Sequence, residues 1–234
     1  MRNADKRRFV GVIKMKLLIS ALTKFLLGVL LVGLLVFLPA GEFYFGGVAF
    51  TALLFIPIFI LGVVLFVKNP ELLERRLENK EKQSDQKGVV AFSGLIFLLA
   101  FIVAGLDFRF GWSRLPRAVS IVAAVLFVAA YLIYAEVLRE NAYLSRTIKV
   151  EDGQSVVSTG LYGIVRHPMY AATILLFLSI PLILGSLIAF VIFLAYPAII
   201  AVRIKGEEAL LEKELEGYAE YKQKVKYKII PFVW

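Results

Sequence analysis

What most limits the fold of this chain is a series of six apolar runs, at positions 17–38, 48–67, 89–106, 118–138, 170–184 and 186–202. A helix needs about 20 consecutive apolar residues, within a range of about 17–25, to cross the hydrocarbon of a bilayer. Inside lipid, each backbone polar group must also be satisfied by the segment itself. The first four runs are long enough to span. The last two are shorter and separated only by Gly185, with Pro181 just before it. They form either two short spans or a helical hairpin that does not fully cross, and the pattern favours a hairpin with its tip near the far leaflet. Hydrophobic residues make up 60% of the 234, against roughly half in a soluble domain, so lipid is the default solvent. The expected fold class is all-α: a polytopic transmembrane helical bundle with a C-terminal helical hairpin. It forms one membrane domain over 1–234, with the N-terminal transmembrane helices in 1–138.

Lysine and arginine set the expected orientation. Segments 1–16, 68–87, 139–166 and 203–234 carry 23 of them, the opposite side carries only Arg109, Arg114 and Arg117, and Lys24 lies inside the first run. The positive-inside bias places both termini, and any site built from these segments, in the cytoplasm. The first run is too long for a signal-peptide core and no small-x-small cleavage site follows it, so it reads as a retained helix. The net charge of +9 sits beside apolar runs and does not interleave with aromatic patches. Topology and anionic headgroups explain it better than nucleic acid does. With no cysteine and one histidine, disulfides, thiolate chemistry and a multi-histidine metal centre are excluded. No metal is expected.

Two polar segments have plain structural readings. In 68–87, Pro70 suits the first turn of a short helix, with Leu72, Leu73 and Leu77 as an apolar stripe lying along the headgroups. In the tail, Leu211, Leu215, Tyr218 and Val225 recur at helical spacing and read as an amphipathic helix under the bundle. Gly217, Tyr218 and Tyr221 read as packing residues there, and Pro231, Phe232 and Trp234 as an interfacial anchor.

Segment 154–170, QSVVSTGLYGIVRHPMY, is the informative stretch. Pro168 lacks an N–H and presets a helical φ, so it belongs at the first helical position, with His167 at the cap on an extended backbone. A helix start exposes N–H groups and a partial positive charge, here beside Arg166 and His167, and so favours a carboxylate or phosphate. Gly160 and Gly163 allow the backbone to approach a ligand. The bare Arg-His pair would serve equally as an interfacial anchor; the convergence of ring, guanidinium, glycines and helix start favours a site. The second constellation is RIKGEE, 203–208, where the sixth run ends. Arg203 and Glu207 share a helix face and pair at i,i+4 or act together in a site. Glu208 turns about 100° away and is expected to be merely solvated.

At these blocks the sequence resembles the isoprenylcysteine carboxyl methyltransferase family, and the wider group of membrane methyltransferases that includes phospholipid N-methyltransferases. The resemblance rests on GLYGIVRHPMY at 160–170, RIKGEE at 203–208 and GYAEYKQKVKYKIIP at 217–231, in this order around the hairpin. It implies methyl transfer from S-adenosyl-L-methionine in a cytoplasmic cofactor pocket, to a lipid or lipidated acceptor that enters from the bilayer. Residues 139–234 would be the methyltransferase-like catalytic part. It implies cofactor contacts from Gln154, Val156, Val157, Tyr162, His167, Pro168, Met169, Tyr170 and Glu207, a substrate contact from Arg203, and catalytic roles for Arg203 and Glu207. Two positions depart from the pattern: Gln154 stands where prenylcysteine enzymes often carry histidine, leaving the acceptor open, and Gly163 where a larger residue is common.

The residues suit that chemistry. The cofactor's carboxylate would meet the helix start and His167, its ammonium Glu207, and its sulfonium the face of Tyr162 or Tyr170, worth about 0.5–2 kcal/mol. A carboxylate acceptor is nucleophilic as it stands, so alignment and desolvation replace acid–base machinery. Since the acceptor lies in the bilayer, a lateral opening between apolar helices is expected. Two alternatives remain: a membrane NADPH-dependent reductase of the sterol reductase type, which has a similar Arg-His-Pro-x-Tyr segment, and a non-enzymatic lipid-binding protein. The reductase would want more cations beside the pocket.

Overall fold

The computed structural model describes residues 3–78, 84–145, 147–150 and 153–234, with side chains throughout except at 3–11, 84 and 85. The helices are α1 (Asn3–Ala40), α2 (Phe45–Lys68), α3 (Pro70–Leu77), α4 (Ser84–Phe110), α5 (Arg117–Glu140), α6 (Pro168–Ile183), α7 (Leu187–Phe193), α8 (Ala195–Glu214) and α9 (Tyr218–Lys224). A short 3-10 turn covers Gly160–Gly163. The described residues contain no strand.

Five stretches are long and apolar enough to cross a membrane: Val12–Ala40, Phe45–Lys68, Gln86–Phe110, Arg117–Glu140 and Leu187–Glu214. Their outer faces carry large apolar side chains in the open, such as Leu26 at 63%, Val125 at 63% and Leu132 at 69% exposed. A surface of that kind is stable only against lipid, and the chain is an integral membrane protein. The last two apolar runs differ in reach. With 16 residues, α6 is about 24 Å long, short of the roughly 30 Å hydrocarbon. Together α7 and α8 cover 28 residues. The turn between the arms runs through Gly185, at φ +83°, and Ser186, whose Oγ caps α7 by accepting from Ala189 N at 3.0 Å.

Inside the bundle α4 packs on α1, α7 and α8, and α5 lies along α6. The core mixes Phe50, Phe127 and Phe193 with Ala100, Ala104, Ala123, Ala130 and Ala189. Small residues let the helix backbones come close. At Gly105 a Cβ would stand 2.6 Å from the Val36 carbonyl, so α1 and α4 meet backbone to backbone there. At the hairpin-tip end, Asp107 is buried at 2% exposure. Its carboxylate accepts from Ser113 N and Ser113 Oγ, both at 2.6 Å, and from Ser186 Oγ, tying α4, the α4–α5 loop and the hairpin tip together.

The opposite end holds α3. Pro70 does open this helix, and Asn69 caps it by accepting from Leu72 N at 3.1 Å. Its stripe is packed into the protein, however: Leu72 and Leu73 are 1% and 6% exposed, against α1 and α2. The rest of the expected 68–87 segment falls partly at 79–83, outside the described residues. Lys24 is not stranded in lipid, because its Nζ donates to the Leu77 carbonyl at the negative end of α3. The tail is not one amphipathic helix either. Gly217, at φ +82°, breaks it after α8, although Leu215, Tyr218 and Val225 still cluster as their spacing implied, with Leu211 packed against them and Tyr221 joining them.

Candidate active site

Pro168 starts α6, with His167 as its N-cap at φ −127° and ψ 59°. The φ is extended, as a residue before proline prefers, while the ψ falls short of a strand. The backbone N–H groups of Arg166 and His167 donate to the carbonyls of Tyr227 and Lys228, at 2.9 and 2.8 Å. The C-terminal segment therefore runs back beside the start of α6. Arg166 is engaged by the protein itself. It is 6% exposed, and its guanidinium donates to Glu208 Oε1 at 2.7 Å and to the carbonyls of Val225 and Lys226 at 2.7 and 2.8 Å.

Glu208 overturns the solvated expectation. It is 4% exposed, and the oxygen that accepts from Arg166 also lies 3.1 Å from His167 Nε2. Its other oxygen is 3.8 Å from Lys222 and from Lys228. A buried carboxylate is tolerable only when paired and hydrogen-bonded, and these partners come from three separate parts of the chain. Nothing local in the sequence announces them; the only signal was the second of two adjacent carboxylates at a membrane exit.

On the neighbouring face of α8, Arg203 and Glu207 are joined through Tyr170. Arg203 Nε donates to the Tyr170 hydroxyl at 3.1 Å, and that hydroxyl donates to Glu207 Oε2 at 2.5 Å. The i,i+4 pair is thus bridged by a phenol from α6.

These groups face one cavity. Of the residues singled out in the sequence, Gln154, Val156, Val157, Tyr162, His167, Met169, Tyr170, Arg203 and Glu207 line it together. Pro168 does not; it is fully buried behind the wall. Neither Gly160 nor Gly163 is among the residues that line the cavity, and each packs against the protein. Gly160 (φ +56°) presses on Glu140, with its would-be Cβ 1.7 Å from Oε1, and that carboxylate caps the 3-10 turn by accepting from Leu161 N at 3.1 and 3.0 Å. A Cβ on Gly163 would meet the Ser158 carbonyl at 3.2 Å.

Sequence reasoning missed much of the opposite wall. Tyr218 and Tyr221 line the cavity, and Tyr221 donates to the Tyr162 carbonyl at 2.7 Å. Burial pushes the phenols of Tyr162, Tyr218 and Tyr221 above their ordinary range, so each is a neutral hydrogen-bond donor at physiological pH. The Tyr218 hydroxyl is buried without a partner among the described residues. Part of the 141–149 wall is held by α3: Arg75 donates to Ala142 O at 2.7 Å, Arg76 to Ser145 O at 3.1 Å, and Lys149 pairs with Glu78 at 2.6 Å. The described residues hold no cluster of three or more potential metal ligands.

The model of the isoprenylcysteine carboxyl methyltransferase family matches residues 119–213. Among curated proteins, the chain is 32% identical over 91 residues to the Delta(14)-sterol reductase TM7SF2 of Mus musculus, covering 38% of this chain and 22% of the reductase. It is 31% identical over 93 residues to the uncharacterized protein YpbQ of Bacillus subtilis (strain 168), covering 39% of this chain and 55% of YpbQ. Among solved structures, the eukaryotic intramembrane Ras methyltransferase ICMT superposes with a TM-score of 0.54 at 15% identity, over 79% of this chain and 65% of that one. The chain thus spans less than two thirds of each of these relatives. In sequence over 119–213, and in fold over most of its length, this integral membrane protein is similar to the isoprenylcysteine carboxyl methyltransferase family.

Proposed function

We propose that the protein is an S-adenosyl-L-methionine-dependent methyltransferase acting on a lipid or lipidated acceptor. Residues 1–138 would be its lipid-embedded scaffold and 139–234 its catalytic part, with the cavity and both termini cytoplasmic. The observation that carries this reading is the Arg203–Tyr170–Glu207 chain on the wall of a cavity rich in phenols. A carboxylate and aromatic faces suit a ligand bearing an ammonium and a sulfonium. The orphaned hydroxyl of Tyr218 suits a polar atom supplied by a ligand.

When bound, the cofactor supplies an electrophilic methyl group. Glu207 would hold its ammonium, Tyr162 or Tyr170 would face its sulfonium, and Gln154, Val156, Val157, His167 and Met169 would line the remainder, with Pro168 fixing the helix start behind them. Arg203 would orient an acceptor carboxylate, and its Nε contact with Tyr170 fixes the guanidinium in register with Glu207. A carboxylate oxygen is already a nucleophile, so alignment and exclusion of water carry the step. An amine acceptor must lose a proton, and Glu207 is the candidate base.

The similarity to a sterol reductase keeps a nicotinamide reductase as the second reading. Phosphates call for charged forks, and two of the cations lining the cavity are already paired with carboxylates: Arg166 with Glu208 and Lys149 with Glu78. Calorimetry on the detergent-solubilised chain separates the readings. S-adenosylhomocysteine is expected to bind and NADPH not to. NADPH binding alone would overturn the proposal, and binding of neither would favour a non-enzymatic lipid-binding protein. A lipid extract incubated with labelled S-adenosylmethionine then identifies the acceptor.

A further inference from the structure

His167 is the chain's single histidine. It is 5% exposed and lines the cavity. Its Nε2 stands 3.1 Å from Glu208 Oε1, the same oxygen that takes Arg166 Nε at 2.7 Å. A carboxylate held by an arginine is ionised and can only accept. Nε2 must therefore carry the proton. The ring's other nitrogen, Nδ1, makes no hydrogen bond within the described residues. Around the ring stand Glu208, Glu207, Glu212 and Arg203 from α8, Arg166 from the segment before α6, Lys222 from α9, whose Nζ also pairs with Glu212, and Lys228 from the C-terminal segment. A second proton, on Nδ1, would find no acceptor among the described residues.

We propose that Glu208 is a positioning residue that holds His167 as the neutral Nε2–H tautomer, so that the ring offers Nδ1 to the cavity as a hydrogen-bond acceptor. Fixing one ring nitrogen to define the other is how carboxylates set histidine tautomers elsewhere. The consequence is specific. His167 receives a donor of the bound ligand, an amine or a hydroxyl, and does not take its carboxylate, which falls to the tyrosine hydroxyls. This subsite assignment rests on the methyltransferase reading for the ligand's identity, but the tautomer itself does not.

With one histidine, selective labelling with [15N]histidine gives a single imidazole spectrum. In the ligand-free full chain in detergent, near neutral pH and above, Nε2 is expected to show a pyrrole-type and Nδ1 a pyridine-type resonance. An Nδ1–H tautomer in this wild-type spectrum overturns the proposal without any variant. Glu208→Ala is expected to lose the tautomer preference, and Glu208→Gln, whose amide oxygen still accepts, to retain it. A folded Glu208→Ala with the wild-type spectrum refutes the role, since a merely structural residue would leave the tautomer alone. With S-adenosylhomocysteine, Nδ1 is expected to stay unprotonated while its resonance shifts. Affinity is expected to fall about tenfold in Glu208→Ala, the loss of one hydrogen bond to an ordered group. Protonation of both nitrogens on binding refutes the acceptor role. If the compound does not bind at all, the methyltransferase reading fails while the tautomer result stands.

Discussion

The 3-10 turn over Gly160–Gly163 offers the sharpest test of how the cavity wall is held. Gly160→Ala introduces a Cβ that would lie 1.7 Å from Glu140 Oε1, at a φ of +56°. A non-glycine residue in the left-handed region costs about 1–2 kcal/mol. The clash itself is with the end of a flexible side chain, so Glu140 can swing away. In doing so it abandons the Leu161 N–H, which it now accepts at 3.1 and 3.0 Å, and a hydrogen bond to a charged group is worth about 1.5–3 kcal/mol. The expected loss for Gly160→Ala is therefore about 2.5–5 kcal/mol. Glu140→Ala alone should lose only the hydrogen-bond part. Once Glu140 is gone, adding Gly160→Ala should cost only the backbone part. The two changes should therefore fall short of additivity by about 1.5–3 kcal/mol in a double-mutant cycle. Unfolding titrations of the four proteins in mixed micelles measure this. Additivity to within about 0.5 kcal/mol, the behaviour of independent sites, would refute the account of this turn.

Three further outcomes follow from the geometry. Glu207→Ala and His167→Ala should weaken S-adenosylhomocysteine binding in calorimetry while Arg203→Ala chiefly slows turnover; equal affinity in all three would remove the site assignment. Gly105→Ala should destabilise the bundle by about 1–3 kcal/mol, as overpacking does, because the obstacle 2.6 Å away is the Val36 carbonyl and backbone cannot swing aside. Asp107→Ala should cost at least about 1–3 kcal/mol by leaving buried donors unsatisfied, and increased proteolysis at the 111–116 loop would report the loss of its tie to Ser113 and Ser186.

The parts of the fold legible in the sequence were those fixed by local rules. Pro70 and Pro168 each open a helix because a first-turn residue needs no N–H, and the apolar runs became helices because lipid leaves the backbone few alternatives. The convergence of 154–170 with 203–207 followed from motif order, and both do line one cavity. What stayed hidden depends on distant partners. The Arg166–Glu208 bond joins residues 42 positions apart, and its further acceptors lie 59 and 60 positions away. Gly160 looked like a ligand contact because nothing nearby in sequence placed Glu140 against it. Gly217 was visible as a glycine, yet the apolar spacing around it continued, and only its positive φ shows that the helix breaks there.

Adjacent carboxylates on one helix divide two tasks by phase alone. Glu207 and Glu208 point about 100° apart, so a single turn of α8 presents one carboxylate to the cavity and buries the other. Glu207 meets α6 through Tyr170 and carries Arg203 with it. Glu208 meets the residues just before α6, while the lysines of α9 and the C-terminal segment approach its second oxygen. The start of α6 is therefore clamped from two sides by one helix, once through a cavity-facing phenol and once through a buried ion cluster. A rotation of α8 that moved Glu207 would also strip Glu208 from Arg166. Breaking a buried pair on one side costs about 3–5 kcal/mol, so the rotation is strongly resisted. The sealed carboxylate in this way fixes the angle at which the exposed one enters the cavity, and that rigidity is what the proposed direct displacement between two bound partners would require.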